Sequence, residues 1–212
     1  MAPATILHIL DLAGVAVFAV SGALTAGRSR MDLLGAFVVA ALTAVGGGTL
    51  RDLLLDRNPI FWLGNPSYLV VIAVATGLTV LYASTFTPPR ASLRIADALG
   101  LGFFTISGAQ IAERTGVPAL SVILLGTMTG AAGGVLRDVI CNEIPLILRP
   151  GELYATTCIA GATVYVVLRA LHVAPGIAAL GGIVLIIALR FASILWGLTL
   201  PELRMRREDE RR

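Results

Sequence analysis

Asp11, Gly14, Phe18 and the run Ser21-Gly22-Ala23 return as Asp97, Gly100, Phe104 and Ser107-Gly108-Ala109, each 86 residues later and without a gap. The same offset carries Arg28 onto Arg114, Thr43 onto Thr129, Gly47-Gly48 onto Gly133-Gly134, Leu50-Arg51-Asp52 onto Leu136-Arg137-Asp138, Pro59 onto Pro145 and Tyr68 onto Tyr154. Chance does not hold register over that distance, so the chain must build one unit twice.

What the unit is made of follows from its hydropathy. Of the 212 residues 57% are hydrophobic and 14% charged, where soluble domains carry about a quarter charged; the mean hydropathy is +0.88. The chain belongs in a bilayer, where each span takes about 20 apolar residues. Seven apolar stretches meet that length: Ile6 to Ala26, Leu33 to Leu55, Tyr68 to Phe86, Leu93 to Ala112, Ala119 to Ile140, Leu153 to Leu171 and Ile177 to Leu200. The fold class is therefore an all-α integral membrane protein. Each repeat holds three spans, so the second copy enters the membrane from the opposite side, giving two inverted halves. The expected division is a first repeat at 1–86, an inverted repeat at 87–172, a seventh helix at 173–200 and a charged tail at 201–212.

Seven spans put the termini on opposite sides. The side of the C-terminus collects Arg28, Arg30, Arg90, Arg94, Arg149 and the tail arginines Arg204, Arg206, Arg207, Arg211 and Arg212; the other collects Arg57, Arg114 and Arg169. That excess makes the C-terminus cytoplasmic and the N-terminus external. The first 27 residues hold no lysine or arginine, so the first apolar run is expected to be a retained span and not a cleaved signal.

Composition also excludes chemistry. All 16 bases are arginine, which removes lysine nucleophiles. Cys141 and Cys158 are too few for a disulfide framework or a usual zinc site and are expected to be reduced and packed. His8 and His172 lie on separate spans with no ligand cluster around them, so an enzyme, a cofactor, a structural metal and a nucleic-acid partner are not expected.

Gly46-Gly47-Gly48 in the second span and Gly133-Gly134 in the fifth strip the backbone of side-chain cover and are natural kink points. Close packing of small residues competes with that reading. A break would expose half-helix carbonyls in a hydrated cavity, where Thr43, Thr49, Thr129, Ser21 and Ser107 add neutral oxygens suited to a hard cation. Arg51-Asp52 and Arg137-Asp138 lie one turn beyond these glycines, at a depth where a charge needs a partner. At 1.5 Å per residue, pairing Arg51 with Asp138 would span roughly 20 Å. The spacing predicts the pairs Asp11 with Arg51 and Asp97 with Arg137 instead. Arg190 lies near the middle of the last span and has no repeat counterpart; it is a gating charge or a donor to interhelical carbonyls. His8 is expected at the interface, with Trp62, Tyr68, Tyr154 and Trp196 as interfacial anchors.

With the doubled Gly-Gly-x-x-Arg-Asp element, the Asp and Ser-Gly-Ala of each first helix and the seven-span layout, the chain resembles prokaryotic members of the trimeric intracellular cation channel family, from Asp11 to about Leu200. The resemblance implies a homotrimer with a potassium- and sodium-permeable pore in each subunit, lined and gated by the kinked second and fifth helices. Animal members carry a Lys-Glu-Val element associated with phosphoinositide where this chain reads Gly-Gly-Gly-Thr-Leu-Arg. Bacterial proteins with the same duplicated domain are also described as glycine transporters. A carrier of a small zwitterion is thus the alternative, with Arg51 or Arg137 as the carboxylate partner.

Overall fold

The computed structural model describes residues 3–89 and 91–199, with the backbone alone for residues 3–7 and 10. Arg90 and residues 200–212, which hold Leu200, the tail domain and the tail arginines of the charge count, lie outside the described residues. Seven α-helices are seen among the described residues: α1 (Pro3–Arg28), α2 (Leu33–Leu54), α3 (Ser67–Thr85), α4 (Ser92–Arg114), α5 (Ala119–Ile140), α6 (Ala155–Ala170) and α7 (Pro175–Trp196). Five of them, α2 to α5 and α7, are long and apolar enough to cross a membrane, and α6 is a shorter apolar helix.

Local chemistry sets the helix limits. The Asp32 carboxylate caps α2 by accepting from the Gly35 amide at 2.7 Å. Pro175 starts α7, where a missing N–H costs nothing, and Gly197, at φ +63°, ends it after Trp196. The last helix therefore stops short of the expected Leu200, and Arg190 belongs to its final third, not its middle. Before α6 the chain returns through a 3-10 turn at Leu146–Leu148, so the sixth span begins later than its apolar pattern suggests.

Two antiparallel crossings tie the halves together. Gly14 of α1 lies against Phe104 of α4, and its repeat equivalent Gly100 lies against Phe18. The two phenylalanines stack between them with centroids 5.2 Å apart. In the same way Gly47 of α2 meets the backbone of Thr129 in α5, and Gly133 meets the backbone of Thr43. Each contact maps onto its partner under the 86-residue offset, which is the signature of an inverted pair. Helices α1, α2, α4 and α5 thus form the central bundle, α3 packs on α1 and α2, and α6 and α7 pack on α4. Being enclosed on every side, α4 can carry Asp97, Thr105, Ser107 and Gln110 in buried positions.

Helices α2 and α5 each run unbroken through their glycines. The mid-membrane break expected at these glycines does not interrupt either helix among the described residues. A Cβ on Gly47 or Gly133 would overlap the facing carbonyl oxygen of Thr129 or Thr43, so here the glycines serve close approach of two backbones.

Candidate functional site

Two cavities enter the central bundle from opposite ends, and the offset relates their linings. The cavity at the end where α1 begins has a volume of about 340 Å³ and is lined by His8, Asp11, Arg51, Arg57, Tyr68 and Arg114, among others. The cavity at the other end, about 650 Å³, is lined by Arg28, Arg94, Arg137, Asp138, Glu143 and Arg149, among others. Arg51 corresponds to Arg137 and Arg114 to Arg28. Between them lies a packed waist of Phe18, Phe104, Thr43 and Thr129, all buried, with the Gly47 and Gly133 crossings.

The Arg-Asp pairs sit at the ends of α2 and α5 and do the same local work. Arg51 Nε donates to Asp52 Oδ1 at 2.9 Å, and Arg137 Nε donates to Asp138 Oδ1 at 2.8 Å. The other oxygen of each aspartate accepts from the returning loop: Phe61 N on Asp52 and Leu146 N on Asp138, both at 2.9 Å. Neighbouring residues of a helix normally diverge, which is why sequence spacing does not suggest these pairs. Their recurrence at one offset is the signal that could have. Arg57 joins Asp52 at 2.8 Å.

The predicted deep pairs divide. Asp97 Oδ1 accepts from Arg137 Nη1 at 2.8 Å, with neither side chain exposed. Asp11 and Arg51 make no direct ion pair. Asp11 instead accepts from the Ser107 hydroxyl of the other repeat, while the Arg51 guanidinium turns toward Asp52 and the Phe61 ring, 5.3 Å from its centroid. Ser21, the counterpart of Ser107, accepts from Arg137 Nη1. Both serines therefore cross between repeats, a link that matching within each repeat does not foresee. At 1% and 0% exposure Arg51 and Arg137 are enclosed by protein, so neither snorkels to an interface.

Arg190 enters the same cluster. Its Nη1 donates to Glu152 at 3.1 Å and to the Leu153 carbonyl at 3.2 Å. Its Nη2 lies 3.9 Å from Asp97, and the guanidinium lies over the Tyr154 ring at 4.9 Å. Both acceptors lie in the loop just before α6 and not in a helix. Tyr154, expected as an interfacial anchor, is buried and donates to Asp97 at 3.3 Å. Tyr68 is likewise buried, with its hydroxyl 3.3 Å from His8 Nδ1; each phenol is drawn inward because a buried polar group takes the nearest partner. Trp62 donates to Thr49 at 3.0 Å, and Trp196 is 75% exposed.

Of the hydroxyls proposed to line a path, Thr43 and Thr129 are buried at the waist and each donates to the carbonyl four residues earlier at 2.6 Å. Thr49 lies off that axis, bonded to Val45 O and Trp62. Gly46 lies against Leu136, Gly48 against the Phe61 ring and Gly134 against the Tyr154 hydroxyl. Both cysteines are buried free thiols.

Inverted three-helix repeats, a seventh helix and an arginine at the floor of each cavity define the class: a duplicated membrane protein with the fold of the trimeric intracellular cation channels. The model of the family described as "Glycine transporter" matches twice, at residues 8–84 and 94–170. The UPF0126 inner membrane protein YadS of Escherichia coli is 42% identical over 92% of this chain and 95% of its own. A UPF0126 membrane protein of Vibrio cholerae is 40% identical over 93% of this chain and 82% of its own. Among solved structures, the trimeric intracellular cation channel orthologue from Rhodobacter sphaeroides superposes with a TM-score of 0.87, at 37% identity, covering 92% of this chain and all of that one. The chain belongs to this family of membrane proteins, which is not a family of enzymes.

Proposed function

We propose that this protein is a passive channel for monovalent cations, potassium and sodium, with one pathway in each subunit of a homotrimer. The observation that carries the reading is the pair of related cavities facing each other across the Gly47 and Gly133 crossing. The likeness to channels described as trimeric and intracellular-cation conducting supports the assembly and the cargo. The waist is closed in this conformation, and conduction requires α2 and α5 to separate there. Gly46 to Gly48 and Gly133 to Gly134 leave the backbone free to bend at that level, which makes the kink the moving part and Thr43 and Thr129 the oxygens a passing ion meets.

Charge decides whether a cation can pass. An unpaired guanidinium in a low-dielectric wall repels it, and Asp97, Asp138 and Asp52 oppose that repulsion at close range. The protein sits in the inner membrane of a prokaryote with its C-terminus cytoplasmic; a reporter fused after Arg212 should be active only there. Planar-bilayer recording with potassium on one side and sodium on the other tests the function. Unitary cation currents are expected, and a silent, correctly folded protein would reject the channel. A carrier of glycine is the second reading, favoured by the family model's description and by the guanidinium at each cavity floor. Saturable glycine uptake without unitary steps would select it.

A further inference from the structure

The two repeats differ in bulk at one corner. In the second, Tyr165 of α6 donates to Glu113 at the end of α4, and Arg169 Nε donates to the same carboxylate at 2.9 Å. These three large side chains bridge the two helices. The 86-residue offset carries Glu113 onto Gly27, Tyr165 onto Thr79 and Arg169 onto Ala83. All three small residues line a cavity of about 750 Å³ between the ends of α1 and α3 and the start of α2. A Cβ on Gly27 would meet nothing within 4 Å. The first repeat thus lacks the side chains that plug this corner in the second. Helix α7, which packs on α4 and α6, has no counterpart beside α1 and α3 among the described residues.

The opening continues along α3. Leu33, Val80 and Ser84 also line an adjoining cavity of about 370 Å³, which runs on past Gly77 to Ala73. At the helical rise, Ser84 to Ala73 spans roughly 16 Å, the depth of one leaflet of a hydrocarbon core about 30 Å thick. Its walls are mostly apolar, and Leu33, Phe37 and Leu81 are exposed at its edge. A Cβ on Gly77 would also meet nothing within 4 Å. Arg28 stands at the end where α1 stops, facing this groove as well as the 650 Å³ cavity, and its guanidinium suits a phosphate.

We propose that this groove binds one phospholipid of the bilayer in each subunit, with an acyl chain along α3 and the phosphate at Arg28. The site is built by α1, α2 and α3 and not by the crossing of α2 with α5, so it stands whether or not cations pass the waist.

Purified, delipidated protein in detergent is titrated with palmitoyl-oleoyl phosphatidylglycerol and, separately, with glycerol phosphate, and the bound molecules are counted by native mass spectrometry. One phosphatidylglycerol per subunit should bind saturably, and glycerol phosphate should not, because burial of the chain does the holding. Transplanting the plug, as Gly27→Glu with Thr79→Tyr and Ala83→Arg, should weaken the lipid by at least about tenfold, the effect of roughly two displaced methylenes. Gly77→Leu has no close neighbour at its Cβ to disturb folding; it serves as a second variant, with the same loss expected. Unchanged lipid affinity in either folded variant would overturn the site, and so would equal binding of glycerol phosphate, which would mean a site for the headgroup alone. Conversion of an oligomeric wild type into monomers by the same variants would also overturn it, since the groove would then be a contact between copies of the chain.

Discussion

The two halves descend from one sequence unit, but their charge networks differ. Around Arg137, the residues Asp97, Ser21, Asp138, Tyr154 and Arg190 form one buried cluster. Around Arg51, the links are separate, with Asp11 held by Ser107 and the arginine held by Asp52. The seventh helix accounts for much of this. It packs on α4 and α6, beside the second repeat, and brings Arg190 to Asp97 with no equivalent beside the first. An added positive charge in one half draws the acid there into a shared role, while the acid of the other half is left to a neutral hydroxyl. Inverted symmetry of the backbone thus does not impose symmetry on the electrostatics.

Asp97→Asn should have the largest effect, because it strips a carboxylate from two enclosed arginines; breaking a buried pair in this way costs ~3–5 kcal/mol. Asp11→Asn keeps an oxygen that can still accept from Ser107 and removes only the charge, and it should cost about 1–2 kcal/mol. Unfolding midpoints in one detergent would compare them, and equal losses would mean that the two halves carry the same network after all. Next in size, Gly47→Ala and Gly133→Ala each drive a methyl group into a facing carbonyl, at about 1–3 kcal/mol for overpacking. The crossing is where the two-fold relation is tightest, so the two losses should agree. If only one variant is destabilised, the waist is asymmetric too.

A double-mutant cycle sharpens the contrast. Asp97→Asn with Arg137→Gln should show a coupling of about 2 kcal/mol or more, and Asp11→Asn with Arg51→Gln under about 0.5 kcal/mol. Strong coupling in the second cycle would show that Asp11 and Arg51 engage in some other conformation of the protein. Smallest of all, Ser21→Ala and Ser107→Ala should each cost about 1 kcal/mol. In the first, a charged donor loses one of two acceptors. In the second, the Asp11 carboxylate loses the hydroxyl that holds it, so the conductance phenotype of Ser107→Ala should be the larger in bilayer recordings.

Hydropathy and the 86-residue offset determined seven spans, their grouping in threes and the inversion, because length in a bilayer and parity of crossings leave little freedom. They also singled out Arg51, Arg137, Asp11, Asp97 and the glycine runs, since charges and successive glycines are costly in such helices. Which of those groups meet is another matter. Asp97 reaches Arg137 as depth alone suggested, yet Asp11 does not reach Arg51, although the two pairs are identical in sequence spacing. The glycines that sequence marks as flexible are, in this conformation, the places where two unbroken helices touch backbone to backbone. Rotation about χ angles and the arrival of Arg190 from outside the repeat settle the partners. Such contacts depend on distances of a few ångströms between segments far apart in the chain, and only the packed bundle sets those.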